Sequence, residues 1–410
     1  MQFPVSRRSL LAAAAAMPIA GPALAKSEAL MSSTLPDLKS FAPMSGVYLN
    51  SGTMHPIPIG GRRALDDYLT MRQTGRNIHT YDVEERIKAK FARLINASVE
   101  EIAFVQSTTA GEQLIIEALD MPASGGGIVT DTLHFFGSFY LYEELAKQGM
   151  DVTWLRAENG RIDVEAYEKA ITADTRLVSL SLVSTYNGFE HDLTRICEIA
   201  HARGAMVYAD IIHAAGTVPI DVRASGVDFA ATASYKWLMG DFGLGFLYVR
   251  KDRLEQLRRP RYGYYQISGF QTHVYPFDPP GDEIADITAR DDAQGHFAMG
   301  THSHTVLPLL DWSLAHLLDL GIDNLVAYRR PLLERLHEQL PAKGYQVVTP
   351  RDSRTPLLTC VFEDAHKRLA EPLEKASISM TVSRNRFRFS PSFFNTMDDI
   401  DQALDALPNV

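Results

Sequence analysis

From Ile102 to Arg250 the chain alternates short, continuously apolar runs with helical patterns, and this alternation is its strongest constraint on folding. The predicted strands are Ile102–Val105, Gly127–Thr130, Val152–Leu155, Leu177–Val183, Met206–Ala209, Phe229–Ala233 and Gly245–Val249. Predicted helices lie between several of them, at Gly111–Leu119, Phe139–Gln148, Val164–Ile171 and Leu193–Ala202. Strands that are apolar along their whole length have to be covered on both faces. The pattern therefore predicts an α/β fold with a mixed, mostly parallel sheet between helices.

Beyond this block the pattern changes. Residues 258–300 are rich in Pro, Gly, Tyr and Asp without clear periodicity, a stretch too long for a simple connector. Helices are predicted at Val306–Leu320 and Asn324–Leu340, then strands at Tyr345–Val348 and Leu357–Phe362. A helix near Ala365–Lys375, strands at Ile378–Val382 and Arg386–Phe389 and a last helix complete a smaller α+β domain. At the other end, Ser6-Arg7-Arg8-Ser9 precedes the apolar run Leu10–Ala16 and the small-residue site Ala23-Leu24-Ala25. This is the make-up of a twin-arginine (Tat) export signal, and its apolar run is too short for a membrane anchor. The expected organisation is a signal over 1–25, an N-terminal segment over 26–59 packing with the small domain, a large domain over 60–305 and a small domain over 306–410. The expected location is the periplasm.

The formal charge is −10, or −12 without Arg7 and Arg8, so no basic footprint for nucleic acid exists. Cys197 falls in a helical pattern and Cys360 in a predicted strand, which favours two buried thiols over a disulfide. No metal site is expected.

The chemistry concentrates at predicted strand ends. Lys236 follows Thr232-Ala-Ser-Tyr235 at the end of an apolar strand and precedes a glycine-bearing turn. Asp210 and His213 stand three apart after another strand. Phe104-Val-Gln-Ser-Thr-Thr-Ala-Gly-Glu112 is a strand ending in a hydroxyl-rich turn that opens a helix, an anion site suited to a phosphate. After the next strand, His134, with Phe135 as second choice, offers a ring to stack on a heterocycle. A lysine amine and a carboxylate for a pyridinium nitrogen are the two protein groups that pyridoxal 5'-phosphate (PLP) chemistry needs most.

Taken together, these residues make the chain resemble the class V aminotransferase family of fold-type I PLP enzymes. The matching motifs are Tyr48-Leu-Asn-Ser-Gly52, Ile78-His79-Thr80, Ser107-Thr-Thr-Ala-Gly111, Asp210-x-x-His213, Ser234-Tyr235-Lys236, Gly300-Thr301, Arg388-x-Ser390 and Asn395-Thr396. The resemblance implies that Thr108 and Thr109 bind the phosphate, joined by Ser234 or Tyr235. It implies that Gly300 and Thr301 reach the phosphate of a partner subunit, hence a homodimer. Thr185 and His191 fall where the family places side chains near the ring oxygen, and His213 is assigned to the cofactor as well. Lys236 and Asp210 are the implied catalytic residues, with Arg388, Asn50, His79 and Arg386 on the substrate side.

One departure from the family matters. Desulfurases of this group carry a cysteine on a loop shortly before the Arg388 equivalent, and Ser377–Arg386 contains none. The segment Val382–Pro391 resembles instead the isopenicillin N epimerase-like branch. The combination of signal and fold is similar to periplasmic PLP enzymes that tailor pyoverdine siderophores, implying a siderophore-type peptide or a small amino acid as substrate. Strand alternation places Arg384, Arg386 and Arg388 on one face, with Phe387 and Phe389 toward the core. Such a face suits a substrate with more than one acidic group, and ion pairing with surface acids is the alternative. Transamination is the first functional expectation. Epimerisation or racemisation and β/γ-elimination are alternatives, and a non-enzymatic binding protein of this fold is a lesser one. If the leader is a Tat signal, replacing Arg7 and Arg8 with Lys leaves folded precursor in the cytoplasm; a periplasmic fraction still containing the variant points to a different route.

Overall fold

Six of the seven strands of the central sheet, all but the edge strand at Asp151–Leu155, bury nearly every residue they contain, which is possible only because helices cover both faces. The computed structural model describes residues 35–75 and 81–410. The signal expected over 1–25 and the Ile78-His79-Thr80 motif lie outside the described residues. The chain enters through the two-residue strand β1 (Val47–Tyr48) and the helices α1 (Ile59–Gln73) and α2 (Tyr81–Leu94). Then follow β2 (Ile102–Val105), α3 (Thr108–Ala118), β3 (Gly127–Asp131), α4 (Phe136–Lys147) and β4 (Asp151–Leu155). After α5 (Val164–Ala170) come β5 (Thr175–Ser181), α6 (Leu193–His201), β6 (Met206–Asp210) and the short α7 (Val222–Ser225). The hairpin-linked β7 (Phe229–Ala233) and β8 (Gly245–Val249) complete the layer.

The sheet order is β2-β8-β7-β6-β5-β3-β4, with β8 antiparallel to both of its neighbours and the other pairings parallel. Consequently β2, β3, β5, β6 and β7 all end on the same edge, where α/β sheets place ligands. The outer strand β2 has the backbone N–H of Phe104 bonded to Gln294 Oε1 at 3.2 Å, so a side chain satisfies what a strand would otherwise pair. Inside the core, Phe91 of α2 stacks on Phe246 of β8 at 4.0 Å.

Residues 258–300, expected to be irregular, form a hairpin of β9 (Ile267–Thr272) and β10 (Ala285–Ala289) followed by α8 (Ala293–Phe297). The hairpin leaves Phe270, Tyr275, Phe277 and Ile287 exposed. With no face of its own buried, it has no apolar alternation for a sequence reading to detect. Next come α9 (Val306–Leu320), α10 (Ile322–Ala342), β11 (Gln346–Val347), β12 (Leu358–Val361) and α11 (Ala365–Lys375). The chain closes with β13 (Ile378–Ser379), β14 (Thr381–Ser383), β15 (Arg386–Phe389) and α12 (Met397–Ala406).

The antiparallel sheet β11-β12-β15-β14 has its own core, including Leu336, Cys360, Leu369, Phe387 and Phe389. β1 runs parallel to β13, pairing Val47 with Ile378, so the N-terminal segment is built into this smaller layer. α9 contributes Val306, Leu310, Leu314 and Leu317 to the larger core instead. Within α10 Leu325 belongs to the larger core and Leu332 to the smaller, and Leu357, Phe393 and Phe394 return to the larger one. Among the described residues no helix is long and apolar enough to cross a membrane.

Gly111 lets α3 lie directly on the sheet: a Cβ there would stand 2.8 Å from Ala231 Cβ on β7. Gly111→Val should destabilise the protein by about 1–3 kcal/mol in urea unfolding and weaken cofactor retention, because pushing α3 off β7 also moves the hydroxyls at its N-terminus.

Candidate active site

The strand ends converge on a cavity of about 90 Å³. Its lining includes Ser107, Thr108 and Thr109 from the start of α3, Phe135 beyond β3, Ser181 from β5, Asp210 at the end of β6 and His213 beyond it, and Tyr235 and Lys236 beyond β7. Ser107 caps α3 by accepting the Ala110 N–H at 3.1 Å. A helix start carries N–H groups with no partner inside the helix, so this corner is built for an anion. A second cavity of about 340 Å³ shares Phe135, Thr185, Tyr235 and Lys236 with the first. Its far wall is the smaller layer, with Thr381, Arg386 and Arg388.

Lys236 is buried, and desolvation, helped by the charge of Arg388, lowers its amine to about 7 against the pull of Asp210. Its Nζ lies 3.0 Å from His213 Nε2, while the Trp237 indole N–H donates to His213 Nδ1 at 3.2 Å. That indole bond makes Nδ1 an acceptor. The proton of neutral His213 therefore sits on Nε2 and faces the lone pair of an unprotonated Lys236. Burial first, then the charges of Lys236 and Arg388, hold His213 well below the ordinary histidine value, which agrees with a neutral ring.

Behind Asp210 lies a fully buried polar network. Ser181 Oγ is 3.5 Å from Asp210 Oδ2 and 2.8 Å from His134 Nδ1. His134 Nε2 is 3.1 Å from Glu112 Oε1 and from Ser179 Oγ. Ser138 and Tyr142 also donate to the Glu112 carboxylate, at 2.7 and 2.6 Å. Burial opposes charge on His134, but the Glu112 carboxylate and its hydrogen bond outweigh it and raise the imidazole above its ordinary value. Burial raises Asp210, and the His134 charge, followed by the Ile212 N–H, acts against that rise.

Arg388 on β15 is also buried. Its Nη1 donates to Thr185 O and Oγ1 at 2.9 Å, and its Nη2 to Thr381 Oγ1 at 3.2 Å and Thr53 Oγ1 at 3.3 Å. Its Nε has no hydrogen-bond partner, and among the described residues no carboxylate pairs with it. Burial, then Arg386, lowers it to about 10. Gly52 permits the packing here, since a Cβ would come within 2.7 Å of Ser390 Oγ and 3.2 Å of Arg388 Nη2.

Several expected site residues are placed differently. His134 does not line the cavity; its ring is consumed by Ser181 and Glu112, and Phe135 forms the aromatic wall. Ser234 also lies off the cavity, its hydroxyl spent on the backbone carbonyls of Asp241 and Leu244 at 2.7 Å. His191 borders a different cavity, its Nε2 3.2 Å from Asp131 Oδ2. Asn50 stands one step back, accepting the Thr381 hydroxyl at 2.7 Å. Arg386 lines the outer cavity with its guanidinium 4.8 Å from the Tyr186 ring. Arg384 sits in the turn between β14 and β15, so only Arg386 and Arg388 share a strand face. Gly300 and Thr301 do not line this chain's cavity; Thr301 Oγ1 meets the Tyr264 hydroxyl at 2.6 Å. Glu112, Ser181, Thr381 and Trp237 were not singled out from the sequence. Glu112, at the end of the hydroxyl-turn segment, and Trp237, next to the lysine, stand where a motif reading could find them.

These residues fit PLP: hydroxyls at a helix start for the phosphate, Asp210 for a protonated ring nitrogen, Phe135 as a flat wall and a buried amine to tether the aldehyde. Fold and site together define a PLP-dependent enzyme of fold type I. The chain belongs to the class V aminotransferase family, whose family model, "Aminotransferase class-V", matches residues 67–401. It is 25% identical over 349 residues to an uncharacterized aminotransferase YcbU of Bacillus subtilis, covering 84% of this chain and 89% of that one. It is 29% identical to a probable cysteine desulfurase of Halalkalibacterium halodurans, covering 87% and 90%. Among solved structures, the cysteine desulfurase CsdA of Escherichia coli superimposes with a TM-score of 0.78 at 22% identity, covering 90% and 96%. The cystine C–S lyase C-DES, solved with glycine linked to its PLP, gives 0.76 at 18% identity, covering 88% and 96%.

Glu112→Gln tests the network behind Asp210. Without the carboxylate His134 loses its charge, and Asp210 loses the cation that opposes its upward shift. The acid limb of the kcat/KM profile should therefore move to higher pH, with near wild-type rates in alkali. An unmoved limb would show that Glu112 serves packing alone.

Proposed function

We propose that the protein is an aminotransferase acting on a small amino acid or on an amino acid carried by a peptide. The observation that carries this reading is Arg388, a buried guanidinium without a carboxylate partner among the described residues, on a cavity it shares with Lys236. A buried cation without a counterion is costly, and a substrate α-carboxylate relieves that cost through a two-pronged hydrogen bond. Thr185, Thr53 and Thr381 orient the fork.

When bound, PLP supplies the electron sink that weakens bonds at the amino-bearing carbon. Asp210 would hold the ring nitrogen in its protonated form. Lys236, with its amine near 7, would be the group that accepts and delivers the substrate's α-proton. His213 is held well below, and Tyr235 above, its ordinary value, so neither exchanges a proton easily near neutrality. A single proton carrier favours transamination over epimerisation by two opposed bases. Some relatives are named cysteine desulfurases, but persulfide chemistry needs a thiol in the cavity. Cys360 adjoins Thr359 on β12, and since Thr359 faces the cavity, Cys360 points into the small core, where burial raises its thiol to about 12. Cys197 is buried in α6.

Three further elements belong to this proposal. Exposed Arg386 suits a second acidic group, as on a glutamyl peptide. The apolar side chains exposed on β9–β10, beside the outward-facing Gly300–Thr301 loop, suit a homodimer. The leader sequence suits periplasmic export.

Incubating the PLP-loaded protein with glutamate, alanine and glutamyl peptides should yield keto products by mass spectrometry, and retained mass with inverted configuration would replace transamination with epimerisation. Lys236→Ala should abolish turnover and the visible cofactor band. Arg388→Lys should lower kcat/KM for every substrate on the order of 10- to 100-fold, as expected for loss of a charge-assisted fork. Arg386→Ala should impair acidic substrates alone; equal loss with alanine would remove the second-carboxylate idea.

A further inference from the structure

A second polar cluster lies in the loop just beyond Gly300 and Thr301, made of residues that take no part in the cavity of Lys236. Glu84 comes from the first turn of α2, and His302 and His304 come, one residue apart, from the segment before α9. Glu84 and His302 are buried and His304 is half-buried. Glu84 Oε1 stands 3.5 Å from His302 Nε2 and 3.8 Å from His304 Nε2, and one ligand atom from each of the three lies within 4.8 Å of the others. The Tyr265 hydroxyl borders the same space, 3.3 Å from Glu84 Oε1 and 3.4 Å from His304 Nε2. The His302 ring is held between Phe104, with centroids 4.7 Å apart, and Tyr265 at 5.4 Å. Its Nε2 nevertheless makes no hydrogen bond, the Glu84 contact failing in geometry. A buried imidazole nitrogen aimed at a carboxylate and a second imidazole without bonding either lacks an acceptor of its lone pair.

We propose that Glu84, His302 and His304 bind a divalent transition-metal ion of the zinc class, with the Tyr265 hydroxyl or a water in the fourth position. Two imidazoles and one carboxylate suit zinc, whereas magnesium and calcium take oxygen ligands. Bonds of about 2.0–2.1 Å in a tetrahedron set ligand atoms about 3.3 Å apart. The two Glu84 distances, 3.5 and 3.8 Å, exceed that spacing by about half an ångström at most. The imidazole pair, within 4.8 Å, would close by rotation of His304, the least buried of the three. The ion would join three segments far apart in sequence: the start of α2, the turn at 264–266, and the loop that presents Gly300 and Thr301. Its role would be structural, fixing that loop without entering the chemistry at Lys236.

The test uses full-length holoenzyme treated with a chelator, desalted and titrated with zinc chloride. The expected result is one zinc per chain retained through gel filtration, by elemental analysis, and a higher Tm. Cobalt(II) in place of zinc should add visible bands beyond the cofactor's absorption, typical of a four- or five-coordinate site. His302→Gln and His304→Gln should each lose the retained zinc and the Tm gain, with the cofactor absorption unchanged. Should His302→Gln fail to fold, the half-buried His304 and Glu84→Gln carry the same test. No stoichiometric zinc in the wild-type protein, or full retention in the folded variants, would overturn the site.

Discussion

Lys236, Asp210 and Arg388 are all desolvated, and the charge state of Lys236 depends on both of the others, Arg388 lowering its amine and Asp210 raising it. Water is too scarce there to screen them, so the lysine loses its proton near neutrality while the arginine lowers it further. The same arrangement leaves the arginine short of a counterion and the carboxylate dependent on a cation behind it. Two elements resolve the imbalance within the protein: the Glu112–His134 pair through Ser181, and the neutral His213 whose tautomer the Trp237 indole sets. The residual imbalance, at Arg388, is the one a substrate carboxylate would correct.

This balance depends on two separately packed layers. The large sheet supplies Lys236 and Asp210 on adjoining strand ends, while the small sheet supplies Arg388 and Thr381. Each layer has its own core, so the separation of amine and guanidinium is set by the few contacts that bridge them. The 2.9 Å bonds from Arg388 to Thr185 are the clearest of these. The N-terminal segment adds another bridge. β1 joins the small layer by pairing with β13, and Gly52 and Thr53 then pass against Arg388. Tyr48-Leu-Asn-Ser-Gly52 is therefore structural support for the arginine. Asn395-Thr396 belongs to the same support: Asn395 Nδ2 donates to Tyr48 O at 3.0 Å, and Thr396 with Asp399 closes a capping box on α12.

The large sheet was readable from composition because its strands are buried on both faces, and Phe229–Ala233 and Gly245–Val249 end in the structure where the apolar runs end. The β9–β10 hairpin was unreadable for the opposite reason, having no buried face to impose a period. Arg384 shows a different failure. Alternation along one strand assumed that the strand continued, and the two-residue turn at Arg384-Asn385 interrupts it. His134 and Phe135 are adjacent and both able to stack, and nothing local distinguishes them. The difference arises 22 residues earlier in the chain, where Glu112 on α3 offers a buried carboxylate that only the histidine can bond.

The sequence alone therefore determined the α/β class, the strand ends that carry Lys236 and Asp210, the hydroxyl turn at Ser107 and the absence of a cysteine from Ser377–Arg386. Each of these is a property of a short segment, expressed through apolar periodicity or a motif within a few residues. The tertiary structure decided which ring faces the cavity, that Ser234 and His191 turn elsewhere, and which groups control the charge on Lys236, Asp210 and Arg388. It also brought Glu84 to His302 and His304 across more than 200 residues. Those outcomes depend on distances between segments remote in the chain, and electrostatic energy in a desolvated space follows distance and burial, neither of which a linear pattern contains.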